Sequence, residues 1–151
     1  MKISQIVFIA LSLATFATQA ASFQFGKEVK NCLTLPSFGD NVKTQSQCKE
    51  EAKAASEKSL NNTITRLHKR IKDDYNTPYH LNDIDGVKIK DVFWEKFINS
   101  QKSWSSSREE ICSAMASLVG EWAESQDDIQ TQCILDQNKG RERYLKEIYL
   151  K

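Results

Sequence analysis

The side chains best suited to acid–base, nucleophilic or metal chemistry are few: His68 and His80, the adjacent carboxylates Glu109 and Glu110, and four cysteines, Cys32, Cys48, Cys112 and Cys133. His68 follows Leu67 and precedes Lys69 and Arg70, the setting of a solvated helix face, and His80 falls in a loop. Glu109 and Glu110 are neighbours, and neighbours on a helix point about 100° apart, so they cannot share one substrate atom. The sequence has no G-x-S-x-G, no H-E-x-x-H, no phosphate-binding glycine loop and no DxDxDG calcium loop. No convergent catalytic set emerges, and we expect no enzyme activity, no cofactor and no metal.

The cysteines have a simpler reading. Residues 6–17 form an apolar run behind Lys2, and Thr18-Gln19-Ala20 offers the small residues that a signal peptidase reads. That run is too short to span a bilayer, so residues 1–20 read as a secretory signal peptide and 21–151 as one domain. No cysteine follows the cleavage point closely, so lipid attachment is not expected. An even cysteine count behind a signal implies two disulfides in an oxidising compartment. Four cysteines allow three connectivities, and the sequence alone does not choose. We favour Cys32–Cys48 and Cys112–Cys133, because each closes a loop of roughly 16 to 22 residues, worth about 3 kcal/mol in the chain-entropy model. A metal or redox site is the alternative, but there is no CxxC and both histidines lie far from every cysteine in sequence.

Lys2 is one of 21 basic residues, so the domain keeps 20 against 20 acidic ones, a net charge near zero. That balance disfavours a generic grip on nucleic acid or an anionic membrane. Five glycines and two prolines argue against an all-β or linker-rich design. About 131 residues suffice for one domain with a core of its own.

Helical periodicity dominates what remains. Residues 22–43 show no sustained period and read as irregular or as a short helix. From Thr44, the spacing of Cys48, Ala52, Ala55, Leu60, Ile64, Leu67 and Ile71 predicts an amphipathic helix ending near Asp73 and Asp74. Residues 75–86, with Asn76, Pro78, Asn82, Asp83, Asp85 and Gly86, read as a loop. A second helix carries a seam of Trp94, Phe97, Gln101, Trp104, Arg108, Ile111, Met115, Leu118 and Trp122, with steps of three and four, widened by Ile98, Cys112 and Val119. Gly120 is placed to end it. A third helix is expected from Asp127 or Asp128 to Tyr149, with Ile129, Cys133, Tyr144, Leu145 and Ile148 inward and the acidic pair at its positive end. The fold class is all-α: a small helical bundle with a long helical hairpin, stapled by two disulfides.

Gln101 and Arg108 interrupt the second helix's apolar seam on the same face as Trp104 and Cys112. A guanidinium there needs acceptors from a neighbouring helix, with Trp104 one turn away to cover a face. It either locks helix register or forms an anion or ligand site.

The string Gln101, Trp104, Arg108, Cys112 resembles the Gln-x-x-Trp-x-x-x-Arg-x-x-x-Cys core of the lysozyme inhibitor LprI-like family. Cys32 and Cys48 resemble its N-terminal cysteine pair, Leu60-Asn61 with Ile64 and Leu67 its Leu-Asn helix, and Cys133, Arg141 and Leu145 its closing residues. The resemblance implies a small secreted or periplasmic helical domain, with Gln101, Trp104, Arg108 and Arg141 as structural motif residues. The implied protein partner is a lysozyme or another peptidoglycan hydrolase. An immunity protein against a secreted toxin and an envelope structural factor are the alternatives. Between its last two cysteines the family carries a Gly-Gly-Ser-like turn, where this chain has Gly120-Glu121-Trp122-Ala123-Glu124-Ser125.

Two loops suit a partner. Between Cys112 and Cys133 every charge is acidic, namely Glu121, Glu124, Asp127 and Asp128, with Trp122 among them. Such a loop fits steering toward a basic protein, although Trp122 also keeps the register of a last core residue. The Pro-stiffened loop after the first helix offers Tyr79 and His80.

Overall fold

The computed structural model describes residues 23–150; the expected signal peptide at 1–20 lies outside the described residues. Four helices follow one another: α1 (Lys27–Leu33), α2 (Gln45–Asp74), α3 (Ile89–Ser117) and α4 (Gln126–Tyr149). Thr44 starts α2 with a capping box. Its hydroxyl accepts from Gln47 N at 3.3 Å, and Gln47 Oε1 accepts from Thr44 N at 3.1 Å, so two otherwise orphaned donors are satisfied. The short helix α1 buries Val29 and Cys32 against α2 and α4. Gly26 N ahead of it donates to Gln132 Oε1 at 2.6 Å.

The hairpin of α2 and α3 is open. These two helices touch only sparingly, while α4 packs along both of them. A helix wedged between two others must bury more than one stripe, and α4 buries Asp128, Ile129, Thr131, Gln132, Cys133, Ile134, Leu135, Asn138 and Leu145. The inward positions expected for Ile129, Cys133 and Leu145 hold. Tyr144 and Ile148, also expected inward, are exposed, because burial in the last turns of α4 narrows to the Leu145 side.

The largest apolar cluster lies in the half of the bundle near the α2–α3 loop. Leu60, Leu67, Ile71, Phe97 and Leu145 form its centre, with Ile64, Phe93, Trp94, Trp104, Tyr149 and Leu150 packed around them. The rings of Trp94 and Phe97 stack 5.3 Å apart, and His68 lies flat on Trp94 at 3.9 Å between centroids. At the other end Cys112, Cys133 and Ile134 form a second, smaller buried group, and Val29, Cys32 and Ile129 are buried as well. Both disulfides are there: Cys32–Cys48 and Cys112–Cys133, as the loop-length reading favoured.

The seam expected along α3 holds from Phe97 to Arg108 and then fails. The buried line continues through Arg108, Cys112 and Ala116, whereas Ile111, Met115, Leu118 and Trp122 are exposed. Steps of four overshoot the helical turn by about 40° each, so the buried face rotates around α3 toward the cysteine that ties it to α4. The residues spaced for a straight seam are left outside. Ile98 is exposed as well. The regular helix stops at Ser117, before Gly120, which has φ of 80°. That left-handed conformation is open to glycine at little cost.

Gly140 sits in the interior of α4, exposed, with no atom within 4 Å of where a Cβ would stand. Gly140→Ala should therefore stabilise the protein by about 0.5–1 kcal/mol through helix propensity. A urea-denaturation midpoint equal to or below that of the parent would contradict this packing.

Candidate functional site

Arg108 is the polar centre of the bundle, and only 6% of it is exposed. Its Nη1 donates to Glu57 of α2 and to Asn138 Oδ1 of α4, and its Nη2 to Glu109 Oε1 at 2.5 Å. Asn138 Nδ2 in turn donates to Ser56 Oγ at 3.1 Å and to Glu57 Oε1 at 3.2 Å. One guanidinium thus joins three helices, leaving only its Nε without an acceptor. The guanidinium carbon lies 5.3 Å from the centroid of the Trp104 ring, and that of Arg141 lies 5.5 Å from it. Arg141 Nε donates to Gln101 Oε1 at 3.1 Å. Gln101, Trp104, Arg108 and Arg141 therefore form one connected unit, and two carboxylates already balance Arg108. The geometry is that of a register lock and leaves no surplus positive charge for an anion.

A second polar clamp was not read from the sequence. Lys49 is buried and its ammonium contacts Asp127 and, at 2.7 Å, Asp128. Burial works against its charge, but hydrogen bonds and attraction from the two carboxylates outweigh that cost and raise its pKa. The clamp pins the start of α4 to the start of α2. Asp128 is thereby buried, and both aspartates are engaged inside the molecule. A third α2–α4 link uses Glu142, which accepts from Ser59 Oγ at 2.9 Å, from Thr63 Oγ1 at 3.3 Å and from Lys146. The bond from Lys146 and those from the two hydroxyls prevail over burial and hold its carboxyl below the ordinary range.

The remaining residues expected to meet a partner fall into two groups that cannot share one site. The sequential helix α3 has 29 residues, about 40 Å at 1.5 Å per residue, and separates the two loops. Tyr79 and His80 lie at one end, both exposed, with their rings edge-on at 5.0 Å. Their loop is backbone-bonded: Tyr79 N donates to Val87 O at 2.8 Å and Ile89 N to Thr77 O at 3.0 Å. Its tip exposes Leu81 and Ile84, which the sequence reading did not single out. Glu121, Trp122 and Glu124 lie at the other end. Trp122 is 86% exposed, so it is not the last residue of the α3 core. Its indole instead folds back on Gly120, where an added Cβ would meet Nε1 at 2.8 Å.

Among the described residues no group of three or more His, Cys, Asp or Glu side chains could hold a metal ion. No helix among them is long and apolar enough to cross a membrane.

Two substitutions test this account. Arg108→Met leaves Asn138 Oδ1 without its donor while Glu57 can turn to water, and should cost about 1–3 kcal/mol. Adding Asn138→Leu should recover part of that loss, because both buried partners are then apolar; a fully additive double mutant in urea denaturation would contradict the network. A carboxyl whose pKa is depressed contributes stability above its ordinary value of 4.5 and loses it as pH falls through the lowered one. Glu142→Gln should accordingly flatten the fall in melting temperature below that pH and leave less of a difference from the parent there than at neutrality.

No curated protein and no solved structure matches the chain. A family model does: the one described as lysozyme inhibitor LprI matches residues 39–145. The matched segment takes in α2, α3, most of α4, the Arg108 network and three of the four cysteines, with Cys32 outside it. Matching well over half of the 151 residues, it establishes that this chain belongs to the lysozyme inhibitor LprI family.

Proposed function

We propose that the protein is a secreted or periplasmic binding protein that blocks a peptidoglycan-cleaving enzyme such as a lysozyme, with no catalysis of its own. Family membership carries this reading, since the family is described by that inhibition. Three physical features support it. Two disulfides suit an oxidising compartment, and so does the apolar run that reads as a signal. Among the described residues, the buried charged groups Arg108, Lys49 and Asp128 are engaged with partners inside the molecule, in the Arg108 network and the Lys49 clamp. The surface, by contrast, presents a tryptophan on a loop whose two ends are pinned, a low-entropy anchor of the kind that dominates protein interfaces.

The test is a titration of the purified, oxidised protein against lysozymes of several types, reading both binding and turnover of peptidoglycan. Inhibition with an affinity of micromolar or better is the expected result. Absence of inhibition across the set would overturn the reading.

A further inference from the structure

Ile111, Met115 and Leu118 stand at i, i+4 and i+7, within roughly 60° of one another around α3 at about 100° per residue. They form an apolar stripe, yet no helix among the described residues covers it. Ile111 is half-exposed, Leu118 is 76% exposed, and four residues further on Trp122 stands almost free of the bundle. Singly exposed apolar residues are ordinary; a stripe that continues into an anchored tryptophan is a patch that asks for an occupant.

Charge decides what that occupant is. No lysine or arginine lies between Arg108 and Lys139, while Glu109, Glu110, Glu121, Glu124, Asp127, Asp128 and Asp136 all fall within that stretch. Four of these seven are used inside the molecule: Glu109 by Arg108, Asp127 and Asp128 by Lys49, and Asp136 by Gln132. Glu110 accepts only from its neighbour Ser106, and Glu121 and Glu124 have no partner among the described residues. The apolar stripe is thus accompanied by three carboxylates that no cation balances. A second copy of this chain placed there would set those carboxylates against their own kind, whereas a basic partner would neutralise them.

We infer that the α3 stripe Ile111, Met115 and Leu118, together with Trp122, is the surface on which a basic protein docks, steered by Glu110, Glu121 and Glu124. It deepens the inhibitor reading and rests on it for the partner's identity as a basic hydrolase. It also assigns the contact to the disulfide-tied end of the bundle, away from Tyr79, His80 and the Leu81–Ile84 tip. The surface is ready-made. Gly120 seats the indole, the Cys112–Cys133 bond holds α3 to α4 where the stripe begins, and the Lys49 clamp fixes the start of α4.

The experiment uses the full oxidised protein and a strongly basic lysozyme as probe, with association and dissociation rates read alongside turnover. Leu118→Ser/Trp122→Ala should weaken binding at least tenfold; both side chains are exposed, so the fold is retained, and an unchanged circular-dichroism melt checks this. Glu121→Gln/Glu124→Gln should slow association several-fold at low salt with little change in dissociation. Leu81→Ser/Ile84→Ser, at the far end, should leave binding as it is. If the parent inhibits and Leu118→Ser/Trp122→Ala inhibits equally well, the surface is wrong and the inhibitor reading survives. If the parent binds without slowing turnover and that variant loses binding, the surface stands and the inhibitor reading falls. No binding to the basic probe overturns the surface, while inhibition of any other lysozyme type in the titration above would leave the inhibitor reading standing. A concentration-dependent dimer in sedimentation that Leu118→Ser dissolves would make a second copy the occupant and overturn the inference.

Discussion

A guanidinium withdrawn from water must find acceptors within reach of its rigid fork, and no single helix can supply them all. Arg108 meets that constraint by taking Glu57 from α2 and Asn138 from α4, with Glu109 from its own helix. The open hairpin follows. Because α4 must bring Asn138 to Arg108 while its other side meets α2, it settles between α2 and α3 and keeps them apart. The ring of Trp104 lies against this centre and also belongs to the apolar cluster of Leu67 and Phe97, so polar network and core share a side chain. A slip of one turn between helices would separate Arg108 from Glu57 and Asn138 and leave it Glu109 alone, a cost that selects one register.

Much of this was legible in the sequence. Periodicity located the three long helices to within a few residues, loop length favoured the observed cysteine pairing, and the need of Arg108 for acceptors on a neighbouring helix pointed to the network. What escaped has a common cause: the pattern was read from apolar residues alone. Lys49 stands on the same face of α2 as Leu60, Leu67 and Ile71, and its place in that line was a signal for a buried ammonium. Asn138, Thr131 and Gln132 lie on buried faces of α4 and look like surface residues by type. Asp127 and Asp128 were read as charges favourable at a helix start. That location is right, but their partner is a lysine 79 residues from Asp128 in sequence. The opposite error came at the end of α3, where aliphatic residues in perfect register were taken for core. Spacing says which residues share a face; it does not say whether another element covers it.

That uncovered face bears on where the family's shared architecture ends and this chain's own surface begins. The motif residues Gln101, Trp104, Arg108 and Arg141 are committed to each other and to the helices around them. The segment 120–125 is the one that carries the exposed indole and two carboxylates without a partner among the described residues. On the docking surface inferred above, scaffold and recognition occupy different residues, so that loops can change without disturbing the lock at Arg108.

The two ends of the bundle are also held by different means. Near the α2–α3 loop, cohesion comes from apolar packing around Leu67, which any aqueous compartment provides. Near Trp122, two cystines and an ion clamp add to the buried contacts of Val29, Ile129 and Ile134. Chemical reduction would therefore act on the molecule unevenly, loosening one end while the other keeps its packing. A chain with free thiols would lack its cross-links only at that end, so the part of the fold nearest Trp122 is the part that oxidation reaches.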